Sequence, residues 1–306
     1  MRYDTAIAQH LRKKGHNVLI TTRTHPDTIP LAKHLNEDTK IIGRYGGKSL
    51  KYKLLNSVRR EERFINMFDY DGKPDVAISH GSPDQCRVAF GLNIPIICTW
   101  DSPHAKKVEK LTLPLADHIV SSIALQGYFH NTDYEEKISY FDGVDEVAWL
   151  YQARKISSAP WRPLIVYRDF ERTASYARGN IYDNGIINKL SKFGDVLRFT
   201  RFPNNFCDAL SHLSNADLMV GYGGTMCREA CLMGIPTIIL KTKVIDQSVN
   251  EYLAEKGFPI YFSNNEDFIK VLCKHKRQNV SDKLAKLENP IDIIENIVNK
   301  YEKEMN

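Results

Sequence analysis

The residue types best suited to hold an anionic ligand lie in one stretch, Gly221-Tyr222-Gly223-Gly224-Thr225, which follows the apolar run Leu218-Met219-Val220. Glycines let a backbone approach a ligand closely, and a helix starting near Thr225 turns its first free N–H groups towards it. With the helix dipole this makes a phosphate site. Thr225 either caps that helix or gives its hydroxyl to a phosphate oxygen. Glu229 falls one turn on, over the same face, where a carboxylate accepts hydrogen bonds from a ribose diol. The plain alternative is a tight turn with Glu229 as a solvated first-turn acid. The pairing of the glycines with Glu229 and a closing Gly234-Ile235-Pro236 favours the ligand site.

Three further groups end short β-rich runs, where open α/β sheets bind ligands. Ser79-His80-Gly81-Ser82 follows Val76–Ile78 and offers His80 as a general base, or as a helix cap with Ser82. Asp101-Ser102-Pro103-His104 follows Ile94–Thr99; Asp101 and His104 either tune one another or form an Asx turn beside a surface histidine. Tyr167-Arg168-Asp169-Phe170-Glu171 places Arg168 to stabilise a leaving diphosphate or to form an interdomain salt bridge. Gly43-Arg44-Tyr45-Gly46-Gly47-Lys48-Ser49 is not an NTPase loop, because that spacing needs glycine where Ile42 stands. It reads instead as a flexible loop contacting a second substrate.

The elements that must position these residues alternate between short strands and helices, which implies parallel sheets. Strands are expected at 17–22, 40–42, 75–79, 94–99, 118–121, 164–168, 196–200, 218–221, 237–240 and 259–262. A helix over 49–68 carries Leu50, Leu54, Val58, Ile65 and Phe68 on one stripe, flanked by Lys48, Lys51, Lys53, Arg59, Arg60 and Arg63. That stripe is expected to pack on the sheet, although a membrane-surface patch is the competing reading. Residues 151–162, with Ser157-Ser158-Ala159-Pro160, read as a linker between domains 1–157 and 158–288. A last helix over 289–306 is expected to return to the first domain. The chain opens in a helix where a doubly wound domain opens in a strand, so the first strand is expected to be missing.

The 306 residues, 42% hydrophobic and 26% charged, suit two soluble globular domains. No run approaches the roughly eighteen apolar residues of a membrane span, and no secretory signal opens the chain, so a cytoplasmic location is expected. The net charge of +5 suits an anionic ligand but lacks the basic stripe of a nucleic-acid binder. Six scattered cysteines include Cys227 and Cys231, four apart, too few ligands for zinc; free, mostly buried thiols are expected and no metal.

The run GGT-x3-E-A-x3-G-x-P resembles the donor-nucleotide motif of GT-B glycosyltransferases and of UDP-N-acetylglucosamine 2-epimerases. With 14–23, 74–82 and Asp101–Ala105, nearly the whole chain resembles an uncharacterised archaeal and bacterial family of glycosyltransferases predicted by analogy. The resemblance implies a GT-B fold with two Rossmann-like domains, an acceptor-side N-domain, a donor-side C-domain and a cleft between their sheets. It also supports the missing first strand, since members begin with one more strand and loop. The expected activity is metal-independent transfer from a UDP-type nucleotide sugar to an unknown acceptor, which is a glycan, small molecule or lipid-linked sugar. The nucleotide sugar is substrate, and no cofactor is expected. Gly223, Gly224, Thr225, Glu229 and Arg168 would hold the donor; Asp101, His104 or His80 would assist the acceptor. A UDP-sugar 2-epimerase and a non-catalytic nucleotide-sugar-binding subunit are the alternatives.

Overall fold

A computed structural model of the chain describes residues 1–47, 49–150, 163–170, 185–200, 206–242, 244–263 and 276–305. The linker expected at 151–162, Glu171, Lys48 and Cys273 lie outside them. The chain divides into two compact units, Met1–Trp149 with Glu288–Asn306, and Leu150–Leu287.

The first unit runs α1 (Arg2–Lys13), β1 (Ile20–Thr24), α2 (Thr28–His34), β2 (Thr39–Arg44), α3 (Leu50–Asp71), β3 (Ala77–Ser79), α4 (Pro83–Gly91), β4 (Ile96–Trp100), α5 (Lys106–Thr112), β5 (His118–Ser122), α6 (Gln126–Phe129), β6 (Ile138–Phe141) and α7 (Val147–Leu150). Strands β3-β4-β5-β6 form a parallel sheet, and β1 and β2 pair separately, also in parallel. Strand β4 is buried at every position, as a central parallel strand covered on both faces must be. Tyr3, Ile7 and Leu11 of α1 lie with Ile291, Ile294, Ile297 and Val298 of the terminal helix (Pro290–Met305) over Ile97, Val120 and Phe141.

That terminal helix is also tied by charge. Glu295 accepts from His10 at 2.5 Å and pairs with Lys14 at 2.8 Å. The Lys14 hydrogen bond, then that of His10, holds its carboxyl down to about 2. A depressed folded value means the contribution is present above the unfolded range of about 4.3 and is lost as pH falls towards 2. Glu295→Gln is therefore expected to lower the melting temperature at neutral pH. Thermal unfolding at successive pH values should show the gap from wild type closing below about 4.3.

One expectation about α3 is overturned. Its stripe does not pack on the sheet: Leu50, Leu54, Val58 and Ile65 are 76%, 67%, 57% and 44% exposed. The buried face is Arg60, Phe64 and Met67. Arg60 donates to the Ile42 carbonyl and pairs with Asp84 at 3.0 Å, while Phe64 and Met67 meet Ile42 and Val88. A paired buried cation and two large apolar groups fix the rotation of the helix, and the leucines turn outward.

The second unit runs β7 (Leu164–Arg168), α8 (Ile186–Leu190), β8 (Asp195–Phe199), α9 (Ala209–Leu213), β9 (Leu218–Gly221), α10 (Thr225–Leu232), β10 (Thr237–Leu240), α11 (Ser248–Glu255) and β11 (Ile260–Ser263). All its strand pairs are parallel, in the order β11-β10-β9-β7-β8.

Candidate functional site

That strand order contains one reversal. The chain leaves β7 towards β8 on one side, then returns to build β9, β10 and β11 on the other. A ligand crevice opens outside the carboxyl ends of the two strands at such a switch point. Those ends are Arg168 on β7 and Gly221 on β9, and the glycine turn follows at once.

The turn is fixed from the N-terminal end of α11, by Asn250 and by Gln247 just before the helix. Gln247 Nε2 donates to the Tyr222 carbonyl at 3.2 Å, and Asn250 Nδ2 donates to the Gly223 carbonyl at 2.9 Å and to Gln247 Oε1 at 2.8 Å. Gly223 has φ +94°, and a Cβ there would stand 2.3 Å from Gln247 Oε1. Only glycine fits. At Gly224 the opposite holds: nothing lies within 4 Å of an added Cβ, and Gly224 and Thr225 are exposed. Among the described residues no backbone acceptor takes the Thr225 or Met226 amide, so α10 starts with donors on offer.

Cys227 lies under the turn, its sulfur 2.8 Å from where a Cβ on Gly221 would be. Burial pushes its thiol up to about 11, against the Gly223 amide, the Arg228 and Arg168 charges and the Gly224 amide, which pull it down. It therefore stays neutral at pH 7 and adds no negative charge beneath the turn. Both arginines are felt at this point. Arg168, half-buried, donates to the Thr200 carbonyl at 2.8 Å, a contact inside the second unit. Glu229 is 2% exposed, so it is not a solvated first-turn acid. Phe170 and Tyr222 meet edge to face at 5.3 Å beside the same strand ends.

In the first unit, β3 and β4 are parallel neighbours in register Ser79↔Cys98, so the residues after them share one sheet edge. His80 Nδ1 lies 2.7 Å from Thr99 Oγ1, and its Nε2 lies 3.8 Å from Asp101 Oδ1. Ser102 Oγ donates to that same Oδ1 at 2.7 Å. Tyr3 packs edge-on to His80 at 5.5 Å. Buried Asp145 completes a trio in which one ligand atom each of His80, Asp101 and Asp145 lie within 4.8 Å of one another. Burial, then the Asp145 charge, raises the Tyr3 phenol well above its ordinary value. The structure thus joins His80 to Asp101, and His104 follows on the turn before α5. Ser82 does not cap α4 by its side chain. Its amide donates to Ser79 Oγ and its hydroxyl oxygen accepts from Arg60. Asp145, Gln247 and Asn250 escaped sequence reasoning because nothing local marks them; only the fold brings them to these sites.

The profile of the family described as "Protein of unknown function (DUF354)" matches residues 1–202 and 186–303. An uncharacterized protein of Methanocaldococcus jannaschii is 31% identical over 96% of this chain and 93% of its own length. A spinosyn rhamnosyltransferase solved with thymidine diphosphate is similar in fold at 14% identity and a TM-score of 0.60, over 97% of this chain and 96% of that one. A Neisseria meningitidis UDP-GlcNAc 2-epimerase bound to UDP-GlcNAc is similar at 13% identity and a TM-score of 0.60, over 97% and 96%. The fold is GT-B, with two Rossmann-like units. No helix among the described residues is long and apolar enough to cross a membrane.

Proposed function

The chain belongs to the DUF354 family, and from that premise we propose that it is a nucleotide-sugar-dependent glycosyltransferase. The observation that carries this is the pairing of Arg168 with the Gly223–Thr225 turn across the switch point of the second sheet. The donor diphosphate sits on the Gly224 and Thr225 end of α10, where the helix dipole and Arg168 offset its charge. Buried Glu229, one turn into α10, accepts the ribose hydroxyls, and the Tyr222–Phe170 edge flanks the base. In the first unit, His80 takes the proton of the acceptor hydroxyl while Asp101 supports the resulting imidazolium. The acceptor oxygen bonds to the anomeric carbon, the bond to the β-phosphate breaks, and nucleoside diphosphate leaves. No metal is required if the dipole and Arg168 carry the developing charge.

Calorimetric titration of UDP, GDP and their sugars is the first test. Glu229→Ala is expected to weaken nucleotide binding about 10- to 100-fold, the loss of one or two hydrogen bonds to a charged acceptor. Binding that ignores this substitution would remove the ribose assignment. Product analysis by NMR separates the remaining readings: conversion of a UDP-sugar alone marks an epimerase, and binding without turnover marks a non-catalytic subunit.

A further inference from the structure

The outward face of α3 joins two features that single out one kind of partner. Leu50, Leu54, Val58 and Leu55 cover a continuous sector of about 140° at roughly 100° per residue, all of it exposed. Arg59 and Arg63 border that sector, and with Gly43, Arg44 and Asn56 they line a cavity of about 290 Å³. Among the described residues, Arg44, Arg59 and Arg63 have no ion-pair partner, whereas neighbouring Arg60 has Asp84. Three cations held together without a counter-charge repel one another, and an anion relieves this. The cavity is built into the fold, because Gly46 packs so closely on α3 that a Cβ would stand 2.6 Å from Lys53 Cα.

From Leu50 to Arg60 the helix has no acid, and Lys51 and Lys53 add two more cations on stems long enough to reach a polar boundary. Glu61 and Glu62 begin only beyond that stretch. A second copy of this chain docked face to face would oppose arginine to arginine. A nucleic acid would leave the leucines unused. We propose that α3 docks on an anionic lipid bilayer, with its apolar sector among the acyl chains and one lipid phosphate held by Arg44, Arg59 and Arg63. This stands whether or not the chain transfers sugars.

Co-sedimentation of the full chain with vesicles tests it. Binding is expected to vesicles of phosphatidylcholine mixed with phosphatidylglycerol at low salt, and not to phosphatidylcholine alone. The triple change Arg44→Gln, Arg59→Gln and Arg63→Gln is expected to weaken that binding about a hundredfold. Leu54→Gln with Val58→Gln should weaken it at least about tenfold while circular dichroism stays unchanged. Absence of vesicle binding would overturn the proposal, as would binding that both variants retain. So would binding of soluble glycerol phosphate to the arginines without vesicles, or self-association in sedimentation that the leucine variant alone abolishes.

Discussion

Gly223→Ala is expected to cost about 2–5 kcal/mol of stability and to abolish measurable nucleotide binding. The new methyl group would meet Gln247 Oε1 at 2.3 Å and Asn250 Nδ2 at 2.7 Å, at a residue whose φ of +94° already disfavours a side chain. Either the turn moves or the Gln247 and Asn250 side chains withdraw, and then the Tyr222 and Gly223 carbonyls lose their donors. Gly224→Ala separates fold from ligand. Nothing surrounds a Cβ there, so the melting temperature should hold, yet the methyl group fills the space given to the diphosphate. Thermal unfolding and UDP calorimetry on both variants supply the comparison. Wild-type affinity in Gly224→Ala would move the phosphate away from this turn. Removing the clash with Gln247→Ala should recover part of the Gly223→Ala loss, a coupling that only contacting residues show.

His80→Ala or Asp101→Asn is expected to lower turnover about 10²- to 10⁴-fold while leaving nucleotide affinity unchanged. The two sites belong to different units, so the calorimetric constant for UDP serves as the internal control. Because His80 and Asp101 act as one device, the double variant should fall little below the worse single one. A chelator arm completes the experiment. His80, Asp101 and Asp145 would also suit a divalent cation, since their ligand atoms lie within 4.8 Å of one another. If a chelator stops turnover and manganese restores it, the trio is a metal site and the general-base role of His80 falls.

The glycine turn of the second unit was legible because its geometry is local. A strand, two glycines, a helix start and an acid follow within a dozen residues, and one strand–turn–helix unit fixes their geometry. What fastens that turn was not legible, since Gln247 and Asn250 arrive from another helix. The same limit hid Asp145 and the pairing of His80 with Asp101, which sequence reasoning sets beside His104 instead, because only the parallel register of β3 and β4 unites them. The α3 stripe shows a different failure. Periodicity reports that a helix is two-sided but not which side is covered. Arg60 carried a charge that seemed to belong in solvent, and a partner 24 residues away on another helix, Asp84, drew it inside.

The terminal helix completes the core of the first unit from the far end of the chain, beside Tyr3, Ile7 and Leu11. During synthesis on the ribosome, residues 1–149 therefore emerge without a part of their own interior. The whole of 150–287 must be translated before Ile291, Ile294, Ile297 and Val298 become available. The second unit, continuous in sequence, is free to fold first, reversing the usual N-to-C order. Until residues 290–298 leave the exit tunnel, the apolar surface of α1 and of the β4–β6 sheet stays open to chaperones. A chain stopped short of Pro290 would be recognised by proteases through that surface, whatever the state of its second unit.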